Sequence, residues 1–84
     1  MLKIVIADDE LPIREWLNYC LKDSKDGLKV VGIASDGLQA YELAAKEEPD
    51  VVIIDIKMPK MDGLTAMKNI KKVLPETDFI ILTN

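Results

Sequence analysis

Four short runs of apolar residues, separated by longer amphipathic stretches, recur along this chain of 84 residues. The runs cover residues 2–7, 28–33, 51–54 and 79–82. Consecutive branched apolar residues are typical of strands that are covered on both faces, as in parallel sheets. Strands that alternate with helices pair in parallel through right-handed crossovers. The sequence therefore predicts an α/β domain with the order β-α-β-α-β-α-β.

The three intervening stretches have helical spacing and residues that favour helix boundaries. Proline suits a first helical turn, and an Asp followed three residues later by Gln forms a partial capping box. The boundary residues are Pro12 and Asp26-Gly27 for the first helix, Asp36 (with Gln39) and Pro49 for the second, and Asp62-Gly63 and Pro75 for the third. The predicted inner faces are Ile13, Trp16, Leu17, Cys20 and Leu21, then Leu38, Tyr41, Ala44 and Ala45, then Leu64, Met67, Ile70 and Leu74.

The composition indicates one small folded domain, because 49% of the residues are hydrophobic and they are spread along the chain. The net charge is −4, and no cluster of basic residues could neutralise a row of phosphates, so this segment is not expected to bind nucleic acid. We interpret Lys68, Lys71 and Lys72 as a solvated helix face. The apolar run before Asp8 is too short for a signal peptide or a membrane span.

Cysteine and histidine usage excludes two further classes of site. The chain has a single cysteine, Cys20, and no histidine, so neither an internal disulfide nor a Cys/His zinc site can form. This usage fits a reducing cytoplasm. We interpret Cys20 as a small packing residue, Trp16 as a core or interface residue, and Met58, Met61 and Met67 as residues that fill gaps in the packing.

Acidic residues follow two of the predicted strands. Asp8 and Asp9 come directly after the first strand and Asp55 after the third, while Thr83 follows the fourth. The carboxyl ends of parallel strands share one edge of a sheet, so these residues are expected to converge. Clustered carboxylates repel one another unless a cation joins them, and no basic residue follows Asp8 and Asp9 closely enough to be an obvious partner. An all-oxygen ligand set of this kind suits Mg²⁺ or Mn²⁺.

A carboxylate beside a divalent ion can act as a nucleophile toward phosphorus. In this hypothesis Asp55 attacks, a metal held by Asp8 and Asp9 neutralises charge, and Thr83 donates a hydrogen bond to the phosphoryl group. Taken alone, Asp9 is better explained as a cap of the first helix, since Asp is common at such positions. Asp62 is interpreted as a cap of the third helix without a chemical role.

Three segments together resemble the receiver domain of two-component response regulators. They are Ile4-Val5-Ile6-Ala7-Asp8-Asp9-Glu10, the stretch 55–63, and Ile80-Ile81-Leu82-Thr83. The resemblance implies a flavodoxin-like sheet, with strand order 2-1-3-4 for the strands present. It implies that Asp55 is the phosphoacceptor for a histidine kinase, with Mg²⁺ bound by Asp8, Asp9, Asp55 and the backbone carbonyl of Lys57. It also implies that Thr83 is the switch hydroxyl of a signalling domain, not of an enzyme with a separate substrate.

The sequence departs from the family pattern at its end. The family continues with a fourth helix, a fifth strand that carries an invariant Lys, and a fifth helix, whereas this chain ends at Asn84, where the family has a very small residue. Neither Lys57 nor Lys60 is assigned the role of that Lys. Residues 1–84 are therefore expected to be an incomplete receiver domain, with slow or absent phosphorylation and weak Mg²⁺ binding.

Two consequences and two alternatives stay open from the sequence. An exposed fourth strand favours self-association through edge pairing or exchange of elements between chains, unless the chain is part of a longer regulator whose remainder supplies the output. One alternative function is a protein-interaction module that is never phosphorylated. Another is a metal-dependent phosphatase, although adjacent Asp8 and Asp9 do not match the Asp-x-Asp spacing of those enzymes.

Overall fold

Strands and helices alternate without exception in the computed structural model, which describes residues 1–22 and 27–82. The elements are β1 (Leu2–Ala7), α1 (Leu11–Lys22), β2 (Leu28–Ala34), α2 (Gly37–Glu47), β3 (Val51–Asp55), α3 (Gly63–Val73) and β4 (Asp78–Leu82). Each predicted strand is present with its bounds within one residue. The predicted boundary at Asp26 lies outside the described residues.

The four strands form one parallel sheet in the order β2-β1-β3-β4. This confirms the predicted flavodoxin-like fold and its strand order. In the registers, Ala7 of β1 lies beside Ile54 of β3, and Asp55 lies beside Leu82 of β4. The ends of β1, β3 and β4 therefore lie at one edge of the sheet, which is where parallel α/β sheets place their ligand sites.

Both faces of the sheet are covered, which explains why the strands are continuous apolar runs instead of alternating ones. Ile4, Ile6 and Ile53 point to one face, where Leu17 and Leu21 of α1 pack against them. The other face is covered by α2 and α3 and holds the larger buried cluster, made of Val5, Ala7, Ala34, Ala40, Val52, Ile54, Met58 and Ala66.

The inner faces of α2 and α3 agree with the prediction only in part. Ala44 and Ile70 are buried as predicted, and the small residues Gly37, Ala40, Gly63 and Ala66 are buried beside them. The predicted inner residues Leu38, Ala45 and Leu64 are exposed. Glycine and alanine contribute little to a hydrophobic pattern, yet they allow two helices to lie close to one sheet, so the pattern favoured the larger residues beside them.

Helix α1 is only partly covered. It begins at Leu11, one residue before Pro12, and none of its residues is fully buried. Trp16 is 62% exposed, so its interpretation as a core residue is wrong, whereas its interpretation as an interface residue stays a prediction. Cys20 is exposed, so its interpretation as a packing residue is wrong. Only one side of the helix, with Leu17 and Leu21, reaches the sheet.

The predicted caps are confirmed by hydrogen bonds. The carboxylate of Asp36 accepts the N–H of Gln39 at 2.8 Å, and the carboxylate of Asp62 accepts the N–H of Thr65 at 2.8 Å. The Gln39 side chain accepts the N–H of Ser35 at 2.7 Å, one residue before the position that a full capping box uses.

No helix in the described ranges is long and apolar enough to cross a bilayer. Lys68, Lys71 and Lys72 are exposed along α3, in agreement with a solvated face.

Candidate functional site

The structure brings Asp8, Asp9 and Asp55 together at the carboxyl edge of the sheet. Asp8 and Asp9 follow β1, Asp55 is the last residue of β3, and β1 and β3 are neighbours. One carboxylate oxygen from each of the three residues lies within 4.8 Å of the other two. Two adjacent parallel strands that end together therefore place three negative charges around one point.

Asp8 is the most enclosed member of this cluster, with 3% of its surface exposed. Burial raises the pKa of its carboxyl group, and the nearby Asp55 and Asp9 raise it further. A 2.8 Å hydrogen bond from the N–H of Glu10 and the charge of Arg14 act in the opposite direction, so they lower the pKa but do not cancel the effect of burial. The cluster thus holds an ionised Asp8 at a cost in free energy that a cation would relieve.

Arg14 is a basic neighbour that the sequence prediction missed. Its guanidinium donates a 2.8 Å hydrogen bond to the backbone carbonyl of Asp8. The signal was available, because a helix that starts at Leu11 turns Arg14 back toward the end of β1. The guanidinium binds a backbone oxygen, so it fixes the turn after β1 and leaves the three carboxylates without a direct ion-pair partner among the described residues.

Asp9 is exposed and contributes an oxygen to the cluster. The alternative interpretation made it a cap of α1. The N–H groups of Ile13 and Arg14, in the first turn of α1, instead bond to the backbone carbonyl of Glu10. Within residues 1–22, no hydrogen bond joins the Asp9 side chain to α1, so capping does not account for this residue.

Asp55 is half-buried, and the loop that follows it is tightly closed. The N–H of Lys57 lies 3.4 Å from Asp55 Oδ1, and the N–H of Gly63 donates to the carbonyl of Ile56 at 2.7 Å. Met58, within the loop, is part of the buried core. Residues 56–62 therefore form a loop anchored at both ends and in its middle, which holds the Lys57 backbone beside Asp55.

A cavity of about 180 Å³ opens next to the carboxylates. Asp8, Glu10 and Asp55 form its polar wall. Its apolar wall consists of Ile13, Trp16, Leu17 and Leu82. The cavity lies next to Asp55, the last residue of β3, so a small anionic group could reach the Asp55 carboxylate from this side.

The remaining predicted residues fall in different places. Thr83 lies outside the described residues, although Leu82 before it lines the cavity and pairs in register with Asp55. Lys57 is exposed in the loop after β3. Lys60 is directed toward α2, where its Nζ lies 3.6 Å from Asp36, so it is not placed with the three acids.

Carboxylate oxygens are the ligands that hard divalent cations prefer, and nothing softer lies among the three acids. A cation there would remove the mutual repulsion that raises the pKa of Asp8. The geometry thus suits two tasks at one edge of the sheet, which are binding a divalent ion and presenting a carboxylate oxygen to an electrophile.

A family model described as the response regulator receiver domain matches residues 4–84. The transcriptional regulatory protein YhcZ of Bacillus subtilis is 40% identical over 83 residues, which cover 99% of this chain and 38% of YhcZ. The chain therefore spans well under half the length of that relative.

Two solved structures show how far the fold is shared. The REC domain of AraT from Geobacillus stearothermophilus aligns with a TM-score of 0.89 and 41% identity, over 95% of this chain and 62% of that one. The CheX-CheY-BeF3-Mg+2 complex from Borrelia burgdorferi aligns with a TM-score of 0.84 and 28% identity, over 95% and 60%.

Proposed function

The chain belongs to the response regulator receiver domain family, a family of signalling domains, and from that premise we propose that it accepts a phosphoryl group from a histidine kinase on Asp55, with Mg²⁺. One observation carries the proposal, namely the convergence of Asp8, Asp9 and Asp55 within 4.8 Å at the ends of β1 and β3. A domain used only for protein association has no need of three repelling acids at one point.

The residues present fit a magnesium ion. Asp8 and Asp9 would hold it, together with one oxygen of Asp55 and the backbone carbonyl of Lys57, and Mn²⁺ has the same ligand preference. When bound, the ion neutralises charge that the transferred phosphoryl oxygens bring to the site. The 2.8 Å bond from the Glu10 N–H fixes one oxygen of Asp8, so this carboxylate is oriented before any ion arrives.

Asp55 supplies the nucleophile. One of its carboxylate oxygens attacks phosphorus in line with the P–N bond of a phosphohistidine, and that bond breaks as the new O–P bond forms. The electron pair of the broken bond stays on the imidazole nitrogen, which takes up a proton from water. The rigid strand β3 and the anchored 56–62 loop keep the carboxylate aimed, so positioning supplies much of the rate.

Thr83 would donate a hydrogen bond from its hydroxyl to the phosphoryl group. The support is that Leu82, its neighbour, lies in register with Asp55 across β3 and β4. By similarity to YhcZ, we further propose that the domain controls a transcription regulator in the cytoplasm.

The 84-residue chain is also proposed to self-associate. In the part of the chain that is described, β4 pairs only with β3, and Ile80 on β4 is 53% exposed. An open edge with apolar side chains favours pairing with a second copy. Light scattering at micromolar concentration tests this proposal, which a mass equal to one chain would contradict.

The experiment for phosphotransfer measures the incorporation of a phosphoryl group and the binding of Mg²⁺, which is followed by the fluorescence of Trp16 beside Asp8 and Asp55. Wild-type chain is incubated with a small phosphodonor and Mg²⁺, and its intact mass is measured over time. We expect a slow gain of one phosphoryl group, which depends on Mg²⁺ and is lost in Asp55→Asn. Asp78→Asn is the matched control, since it removes an exposed aspartate at the start of β4.

Two outcomes would contradict the proposal. A label that persists in Asp55→Asn would move the site elsewhere. Absence of both the label and Mg²⁺ binding would remove the phosphoacceptor function and leave a module that acts without phosphorylation.

A further inference from the structure

Gly37, the first residue of α2, lies against the loop that follows the phosphoacceptor strand. A Cβ atom at this position would lie 2.5 Å from the carbonyl carbon of Met61 and closer still to its oxygen. Real Cβ atoms essentially never approach within 3.0 Å, so a side chain here would displace the Met61 backbone. Gly37 does not have the left-handed backbone that favours glycine, so the close approach of the loop is what requires it.

The opposite end of the same loop is constrained by Gly63. A Cβ atom there would lie 2.8 Å from the carbonyl carbon of Asp55 and 2.8 Å from the Cα of Ile56. The N–H of Gly63 also donates to the Ile56 carbonyl at 2.7 Å. The loop is therefore held to its own strand at Gly63 and to a neighbouring helix at Gly37.

Polar contacts around Gly37 are weaker than this backbone contact. Lys60 lies 3.6 Å from Asp36, but its side chain is 67% exposed, and exposed pairs of this kind contribute little. The Asn69 amide of α3 contacts the Met61 sulfur at 3.7 Å. The contact between the Gly37 Cα and the Met61 carbonyl cannot be relieved by rotation of a side chain, because both groups belong to the backbone.

We propose that Gly37 is a positioning residue for the phosphoryl and metal site. Packing of α2 against Met61 holds the 56–62 loop in register, and the loop in turn holds the Lys57 backbone beside Asp55. Three residues separate Met61 from Lys57 in a loop that the Ile56–Gly63 bond closes, so a shift of the Met61 backbone must be taken up by the backbone between Lys57 and Met61. This inference rests on the proposed function, and it links the site to a helix that contributes no ligand.

The test compares Gly37→Ala with Gly32→Ala. Each variant adds one methyl group, but the Cβ at Gly32 would meet only the flexible Leu43 side chain, at 3.2 Å. Mg²⁺ affinity is followed by the fluorescence of Trp16, the only tryptophan, whose side chain lines the cavity with Asp8 and Asp55. We expect Gly37→Ala to weaken Mg²⁺ binding roughly ten- to hundredfold and Gly32→Ala to stay within about twofold.

A second measurement separates positioning from stability. Apart from the residues next to the substitution, backbone amide shifts of folded Gly37→Ala are expected to change in residues 55–63 and to stay unchanged in β1, β4 and the rest of β3, a pattern that general destabilisation does not produce. Should Gly37→Ala be partly unfolded, all three proteins are compared in the same osmolyte solution, which favours the compact state.

Each outcome has a distinct meaning. If wild type binds Mg²⁺ and Gly37→Ala binds it equally, the positioning role is overturned and the proposed function stands. If wild type neither binds Mg²⁺ nor takes the label, the proposed function fails, and unchanged amide shifts in 55–63 would overturn the positioning role as well. Shifts confined to 55–63 would retain it as a property of the loop.

Discussion

The carboxylate of Asp8 accepts a 2.8 Å hydrogen bond from the backbone N–H of Glu10 while it lies within reach of the carboxylate of Asp55. The hydrogen bond favours the ionised form of Asp8. Burial and the two neighbouring acids favour the neutral form, and together they raise its pKa above the ordinary value of 3.8. The metal-free domain therefore contains an internal electrostatic strain at its site.

Replacement of this acid is expected to stabilise the metal-free chain. At neutral pH an ionised Asp8 disfavours the folded state, because its folded pKa is raised, so Asp8→Asn should increase the free energy of unfolding without Mg²⁺. This difference in the free energy of unfolding should shrink as the pH falls through the pKa of Asp8 in the folded state. It should vanish below the pKa of Asp8 in the unfolded state, because Asp8 is then neutral in both states. Urea unfolding at several pH values measures it.

With Mg²⁺ bound, wild type should become more stable than Asp8→Asn. In wild type, Mg²⁺ at ten times its Kd stabilises the fold by about 1.4 kcal/mol, whereas Asp8→Asn should gain little from it. Glu76→Gln removes an exposed acid outside the cluster and should keep the wild-type response to Mg²⁺. An equal response in wild type and Asp8→Asn would show that the ion binds elsewhere.

Gly63→Ala is expected to destabilise the chain by roughly 1–3 kcal/mol or more. The added methyl would overlap the backbone of Asp55 and Ile56, so either the end of β3 or the start of α3 must move. Thermal unfolding measures the loss. An unchanged midpoint would mean that the close contact between the loop and the strand is not maintained in solution.

Ile54 of β3 and Ile80 of β4 lie on opposite faces of the sheet, and their replacement by alanine should change the free energy of unfolding by different amounts. Ile54 is 1% exposed in the larger core cluster, whereas Ile80 on the next strand is 53% exposed. Ile54→Ala should lower the free energy of unfolding by about 2–5 kcal/mol. At concentrations where light scattering gives the mass of one chain, Ile80→Ala should change it by less than about 0.5 kcal/mol, as is usual at exposed positions. Similar losses in both variants under those conditions would show that Ile80 is covered within a single chain.

Local signals were sufficient for the strands and the acids. Residues 2–7 and 51–54 are continuous apolar runs because both faces of the sheet are covered, and the acid that ends such a run is then fixed at the sheet edge. The strand and the later break at Pro59 were moderate evidence for Asp55 alone, and its occurrence together with Asp8 and Asp9 at strand ends is what favoured the functional interpretation. The meeting of Asp8 with Asp55 needed one further step, which is the parallel pairing of β1 and β3.

Features that depend on contacts between distant segments were missed. Gly37 follows the predicted cap Asp36, and the sequence carried no signal of its close approach to Met61 in the loop after β3. Ala40 and Ala66 are buried for a similar reason, since small side chains allow α2 and α3 to approach the sheet.

The cap of α3 gives a prediction about pH. The N–H of Thr65 bonds to the Asp62 carboxylate at 2.8 Å and is the main cause of a pKa below the ordinary value of 3.8, with the Thr65 hydroxyl, the Leu64 N–H and Lys68 adding to it. A group whose folded pKa is lowered stabilises the fold above its unfolded pKa and loses that effect as pH falls through the folded value. Asp62→Ala should therefore have a lower unfolding midpoint than wild type at pH 7.

The difference between wild type and Asp62→Ala should narrow as the pH is lowered below about 3.8, because protonation removes the charge that strengthens the cap. Asp62→Asn is the matched control, since asparagine caps helices about as well as aspartate but does not titrate. Its offset from Asp62→Ala should stay constant with pH. A constant offset between wild type and Asp62→Ala would instead show that the charge of Asp62 does not contribute, so the cap would act through its hydrogen bonds alone.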